Sequence, residues 1–361
     1  MRLMATDRRS VLLGLFCTAL PTGPAIAGAP VVPAFLTTGR RDGRFHAMAL
    51  DKAGRIVSEF PLPDRGHGFA VSRDGRRAVA FARRPGRFAI PFSPATMQPS
   101  APLPLPADRH FYGHGLFSAD GARLFATQND FDAGRGVLAV HDVRRDHRRI
   151  GEFATHGIGP HECLLSGDGR SAVIANGGIL THPDFPRRKL NLDSMDSTLV
   201  RLDLASGDLL ARASLPPALY QLSMRHLAAT PDGATWFCCQ HQGAATERPP
   251  LIGRWDRNGD IRLIDLPAGV TRSMRNYAGS IAATPDGRRI AVTSPRGGII
   301  VVLDGRSGSF LETISLADTC GIAPTGDGFM ATAGTGAVLL GENTDAHPDI
   351  AWDNHMVTLK S

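Results

Sequence analysis

Six times along the chain a short apolar run meets Ser or Thr, one further residue and Asp-Gly, and a second apolar run follows at once. The phrases are centred on Asp74, Asp120, Asp168, Asp232, Asp286 and Asp327, at spacings of 46, 48, 64, 54 and 41 residues. Asp-Gly between β-rich runs is a strong hairpin signal, because Gly accepts positive φ and Asp bonds the turn backbone. A repeat of this length, with room for about four short strands, is the signature of β-propeller blades. The fold class expected is therefore all-β, with four-stranded antiparallel blades and the strand before each Asp-Gly innermost. The longest spacing carries a polar, proline-bearing insertion over residues 180–197, expected as a loop on the rim.

Six phrases leave the ends of the chain to be placed. Residues 34–38, 45–50 and 55–62 read as three strands without an inner one, and residues 350–359 as one strand without partners. Joined, they make a seventh blade closed by both termini, which removes exposed sheet edges. A six-bladed ring with loose ends is the alternative. Apolar residues make up 42% of the 361, enough for the core of one large propeller spanning 28–361.

The N-terminal 27 residues read differently. Arg8-Arg9 precedes an apolar run from Val11 to Leu20 and a small-x-small site at Ala25-Ile26-Ala27. That is the plan of a cleaved export signal, too short to span a bilayer. The arginine pair resembles a twin-arginine signal, although Asp7 stands where Ser or Thr is usual; an ordinary secretory signal is the alternative. Cys17 does not make a lipoprotein site, since Phe16 precedes it. The expected location is the periplasm, with no membrane span in the mature chain. The net charge of +6 is spread out and includes Arg2, Arg8 and Arg9. No basic stripe interleaved with aromatics points to nucleic acid. Cys163, Cys238, Cys239 and Cys320 are free to pair in an oxidising compartment, but no haem-attachment motif occurs.

The chemistry-bearing residues fall at one place in the repeat. Five residues before the Ser/Thr stand His67, Gly113, His161, Arg225, Gly279 and Cys320. Four before it stand Gly68, His114, Glu162, His226, Ser280 and Gly321. His355 holds a similar place on the proposed closing strand. Inner strands run side by side around the axis, so equivalent positions form a ring at one mouth of the channel. Five of the 13 histidines fall there. Neutral imidazole is the commonest metal ligand and carboxylate supplements it. His67, His114, His161, Glu162, His226 and His355 are thus candidate ligands for a transition metal, iron or copper. Arg225 is a candidate anion holder by a two-pronged hydrogen bond, and Tyr112, His110 and His156 are expected in the funnel above. Strand alternation works against His161 and Glu162 both facing the axis. Two other readings of the ring stay open: an acid–base site without metal, and histidines that only satisfy backbone and channel water.

Long runs beyond the repeat resemble the DUF1513 family of bacterial periplasmic proteins over nearly all of the mature length. They are HFYGHGLFSADG at 110–121, HGIGPHE at 156–162, ANGGILTHPD at 175–184, KLNLDSM at 189–195, RHLA at 225–228, TSPRGG at 293–298 and WDNH at 352–355. Departures are small, at Gln128 and around His241. The resemblance implies a seven-bladed propeller of the quinoprotein/YVTN type. It also implies the company of an imelysin-like protein and a di-haem oxidoreductase as partners in iron acquisition. The leading expectation is a metal-handling binding protein, iron-related. A copper- or iron-dependent oxidoreductase is the first alternative, since a histidine-rich propeller mouth is similar to that of nitrous oxide reductase. A non-catalytic interaction scaffold is the second.

Overall fold

A computed structural model describes residues 32–185 and 188–359; the expected export signal lies outside them. Seven four-stranded antiparallel sheets form a β-propeller. Blades 1 to 6 open with the strands Gly66–Val71, Arg109–Phe117, Pro160–Leu165, Leu222–Ala229, Ser280–Ala283 and Thr319–Pro324, and in each the later strands follow outward. Each opening strand packs against those of the neighbouring blades, which makes it the innermost. Blade 7 is closed by both ends of the chain: Ile350–Thr358 is its inner strand, and Phe35–Arg41, Arg44–Leu50 and Ile56–Pro61 follow. The seven-bladed expectation holds and the six-bladed alternative falls.

The Asp-Gly turns are built as their chemistry requires. Ser72 Oγ donates to Asp74 Oδ1 at 2.6 Å, and Gly75, at φ 68°, donates its N–H to Ser72 O at 2.8 Å. Ser118–Asp120, Thr230–Asp232 and Thr284–Asp286 repeat the same hydroxyl–carboxylate bond at 2.6, 2.7 and 2.7 Å. Between blades the core is aromatic and aliphatic: Phe81, Phe111, Phe125, Trp236, Phe237 and Trp255 are fully buried. Cys163, Cys238, Cys239 and Cys320 are all buried free thiols. Burial pushes the Cys320 thiol up to about 12, so these cysteines are packing residues rather than nucleophiles. Among the described residues no helix is long and apolar enough to cross a membrane.

Antiparallel succession decides which loops share a face with the strand starts. The start of each inner strand lies beside the end of its second strand, so the loop after that second strand rises on the same face. The insertion 177–197 is such a loop, between Ser171–Asn176 and Thr198–Asp203. Leu180 donates its N–H to Asn191 Oδ1 at 2.7 Å, and Asn191 Nδ2 donates to Gly178 O at 2.9 Å, which pins the loop to itself. The loops at Arg83–Arg84 and Pro295–Gly298 rise on this face for the same reason.

Candidate metal centre

A regular strand would send alternate side chains to opposite faces. The inner strands are not regular where the histidines sit. Pairing with the second strand slips between Gly66 and Phe69, Phe111 and Gly115, Pro160 and Glu162, and Met224 and His226. The closing strand slips likewise, against Thr37 and Gly39, across Asp353–His355. A β-bulge leaves an extra residue unpaired and re-aims the side chains around it. His67, His114, His161, Arg225 and His355 all fall within these slips. The bulge in blade 3 therefore removes the conflict between His161 and Glu162 that simple alternation posed.

Glycine permits the close approach of two of these strands. Gly113 has φ 106°, and a Cβ there would stand 2.3 Å from His67 Cδ2. A Cβ on Gly68 would stand 2.8 Å from both Gly113 O and His114 Nδ1. Gly113→Ala should therefore combine backbone strain with a clash, destabilising the fold by about 1–3 kcal/mol and displacing His67. Thermal melting of this variant checks it, and an unchanged melting temperature would contradict the packing described.

The five imidazoles gather into one buried cluster, none of them more than 5% exposed. Their ring centroids set a pattern. Going round, His67–His161 is 5.5 Å, His161–His226 4.7 Å, His226–His355 4.4 Å and His355–His67 4.4 Å. Across this square, His67–His226 is 6.2 Å. His114 stands 4.9, 5.6, 5.6 and 4.8 Å from His67, His161, His226 and His355, as an apex does from a base. An ion held at about 2.1 Å by imidazole nitrogens puts ring centroids roughly 3.2 Å away, so adjacent rings are about 4.6 Å apart and opposite rings about 6.4 Å. The centroid spacings are of the size expected for rings gathered near an ion, and the ligand nitrogens converge as two triads that share His114.

Hydrogen bonds orient several of the rings. His226 Nδ1 donates to Glu162 Oε2 at 3.0 Å, and Leu227 N–H donates to the same oxygen at 3.0 Å. With Nδ1 protonated, His226 Nε2 carries the lone pair. Ser280 Oγ lies 3.3 Å from His355 Nδ1 and holds the orientation of that ring. The carboxylate of Glu162, expected as a ligand, reaches two rings of the cluster, with Oε2 on His226 Nδ1 and Oε1 3.8 Å from His114 Nδ1. Both nitrogens of His67, His114 Nε2 and His355 Nε2 are buried without any hydrogen-bond partner. Unsatisfied buried nitrogens are costly, and their presence at one point is what an ion would relieve. Ligand nitrogens of His67, His114 and His161 lie within 4.8 Å of one another, as do those of His114, His226 and His355. These histidine groups can hold a metal.

Burial keeps the whole cluster neutral. It depresses His114 to about 4 and His226 to about 3, and it drives His67, His161 and His355 well below the ordinary imidazole range, helped by the neighbouring rings. Neutral imidazole is the ligating form. His110 and His141, outside the cluster, are likewise lowered to about 4 by burial. The unfolded chain takes up these protons below about pH 6.5 while the folded chain does not. Stability is thus fully present above that pH and is lost as pH falls toward 4, by about 1.4 kcal/mol per pH unit for each histidine held neutral. Metal-free protein should melt progressively lower at pH 6 and pH 5 than at pH 7.5; a flat profile would contradict neutral burial.

The remaining expected residues separate. Tyr112 is buried, with its hydroxyl 3.2 Å from Thr181 Oγ1 of the insertion. Arg225 is 6% exposed, beside His226. His110 does not line a funnel: its Nδ1 donates to Phe111 O at 3.0 Å and its Nε2 accepts from Asn129 Nδ2 at 3.0 Å, a satisfied framework residue. His156 is exposed. Ser280, Arg83 and Arg84 were not singled out from the sequence. Ser280 is at the counted position and was passed over because it is not a ligand type; the two arginines lie in a loop outside the repeated phrase.

Comparison with known proteins agrees with the architecture. No curated protein matches the chain. Hydrazine synthase of Kuenenia stuttgartiensis is similar in structure, with a TM-score of 0.64 and 13% identity over 91% of this chain and 99% of that one. At that identity the likeness shows the propeller fold alone. The profile of a family described as "Protein of unknown function (DUF1513)" matches residues 60–359, which include all five clustered histidines. The chain belongs to the DUF1513 family.

Proposed function

We propose that this protein binds one transition metal ion through His67, His114, His161, His226 and His355, with Glu162 holding His226 in its ligating tautomer. The observation that carries the reading is the cluster of five buried neutral imidazoles, with ligand nitrogens in two triads that share His114 and several of them orphaned. Five neutral donors supply no charge to offset a trivalent ion. A divalent one is favoured, and imidazole suits iron, copper, zinc and nickel. Iron(II) leads and copper(II) follows, since the family resemblance suggests an iron-related role alongside an imelysin-like protein and a di-haem oxidoreductase. Handling of the ion in the periplasm, after twin-arginine export, completes the proposal.

Elemental analysis of protein purified from its native compartment, with equilibrium dialysis of the stripped protein against iron(II), copper(II) and zinc(II), tests it. One ion per chain is expected. No stoichiometric binding of any of the three would leave the ring as packing and favour the scaffold reading.

A further inference from the structure

Next to the histidine cluster the same mouth carries an excess of positive charge. Arg225 occupies the bulge immediately before His226, is 6% exposed, and its Nε is buried with no hydrogen-bond partner. Among the described residues no carboxylate pairs with it. Arg83 and Arg84 follow directly on Ala82, whose partner across the sheet is Gly66, the neighbour of His67. They too lack an acidic partner within salt-bridge distance among the described residues. Lys189 rises on the insertion of blade 3, and Arg296 on a blade 5 loop, its guanidinium 4.5 Å from the centre of the Tyr277 ring. Beside these cations an open cleft of about 460 Å³ is lined by Arg65, Arg83, Tyr277 and Arg296 together with Asp318 and Asp353. Of the acids on this side, Asp353 is committed to Arg65 through two hydrogen bonds at 2.5 and 2.8 Å, and Asp318 stands on the same cleft, outside any salt bridge among the described residues.

A buried guanidinium without a counter-charge is strongly unfavourable. Fixed forks of N–H donors are the usual means of holding carboxylates and phosphates. The cations here are distributed over blades 1, 3, 4 and 5 rather than focused on one point. That spread suits an anion whose charges are separated along a small skeleton, not a single compact group. We propose that this mouth binds a small di- or tricarboxylate, held by Arg225 and Arg84 with Arg83, Lys189 and Arg296 around it. A carboxylate bound here would stand next to any ion the histidines hold. The anion site adjoins the metal reading but does not require it.

Isothermal titration with citrate, malonate and inorganic phosphate, on stripped and on metal-loaded protein, separates the two. Citrate or malonate should bind the stripped protein and bind more tightly once an ion is present. Loss of one buried charged partner predicts at least about 30-fold weaker binding for Arg225→Gln. Should that variant fold poorly, Lys189→Gln and Arg296→Gln, on the rim, should each weaken binding about 3–10-fold, more so at low salt. Arg306→Gln, exposed on a hairpin of the opposite face, should bind as the wild type does. Failure of both carboxylates to bind the stripped protein, preference for phosphate over both, or equal binding by all variants would overturn the inference. Carboxylate binding without any metal uptake would overturn the metal reading and leave the anion site standing.

Discussion

Deletion of Trp352–Ser361 is expected to abolish cooperative folding. The strand Ile350–Thr358 is the inner strand of blade 7 and joins the two ends of the chain. The deletion takes away the buried side chains of Trp352, Met356 and Leu359. At about 1.5–3 kcal/mol for each such side chain, their loss alone approaches the 5–15 kcal/mol that stabilises an ordinary domain. Three further anchors go with it. Trp352 Nε1 donates to Gly336 O at 3.1 Å, Thr37 Oγ1 donates to His355 O at 2.9 Å, and Asp353 pairs with Arg65. The truncation also exposes the edge of the strand Phe35–Arg41 and uncovers the neighbouring inner strand Thr319–Pro324. Circular dichroism during heating checks this. A melting temperature within a few degrees of the full chain would mean that closure by both termini contributes little.

The second large effect falls on the cluster itself. His226→Ala should weaken binding of a divalent transition ion at least about 100-fold, as judged by competition with a chelator of known affinity. The change removes one ligand nitrogen from the triad of His114, His226 and His355 and leaves Glu162 buried beside an empty pocket. Glu162→Gln keeps the shape but loses the charge that fixes the tautomer, and about 10–100-fold is expected. His147→Ala, at the far end of blade 2, should bind as the wild type does. A change of less than about threefold for His226→Ala would remove this histidine from the site.

Much of this was legible in the residues because a propeller is periodic. The Asp-Gly phrase recurs at a fixed point in each blade, so counting back from it brings His67, His114, His161 and His226 to one mouth without any knowledge of the pairing. His355 followed from closure, since only a strand from the C-terminus could complete the blade begun at Phe35. The bulges were not legible. They depend on how two strands accommodate each other at the crowded axis, as at Gly113 against His67, and no local signal in Pro160–Glu162 announces one. For that reason alternation made His161 and Glu162 look incompatible. Arg83 and Arg84 were missed for another cause. Their loop belongs to no repeated phrase, and only the antiparallel return of the second strand carries it back over the histidines.

The most direct test of the account is X-ray absorption at the metal edge of stoichiometrically loaded protein. The proposal predicts one ion per chain, with imidazole nitrogens at about 2.1 Å, five when all the clustered rings close on the ion, and the multiple-scattering pattern of coordinated rings. A shell of mostly oxygen scatterers, two or fewer imidazoles, or an ion whose spectrum is unchanged in His226→Ala would contradict it.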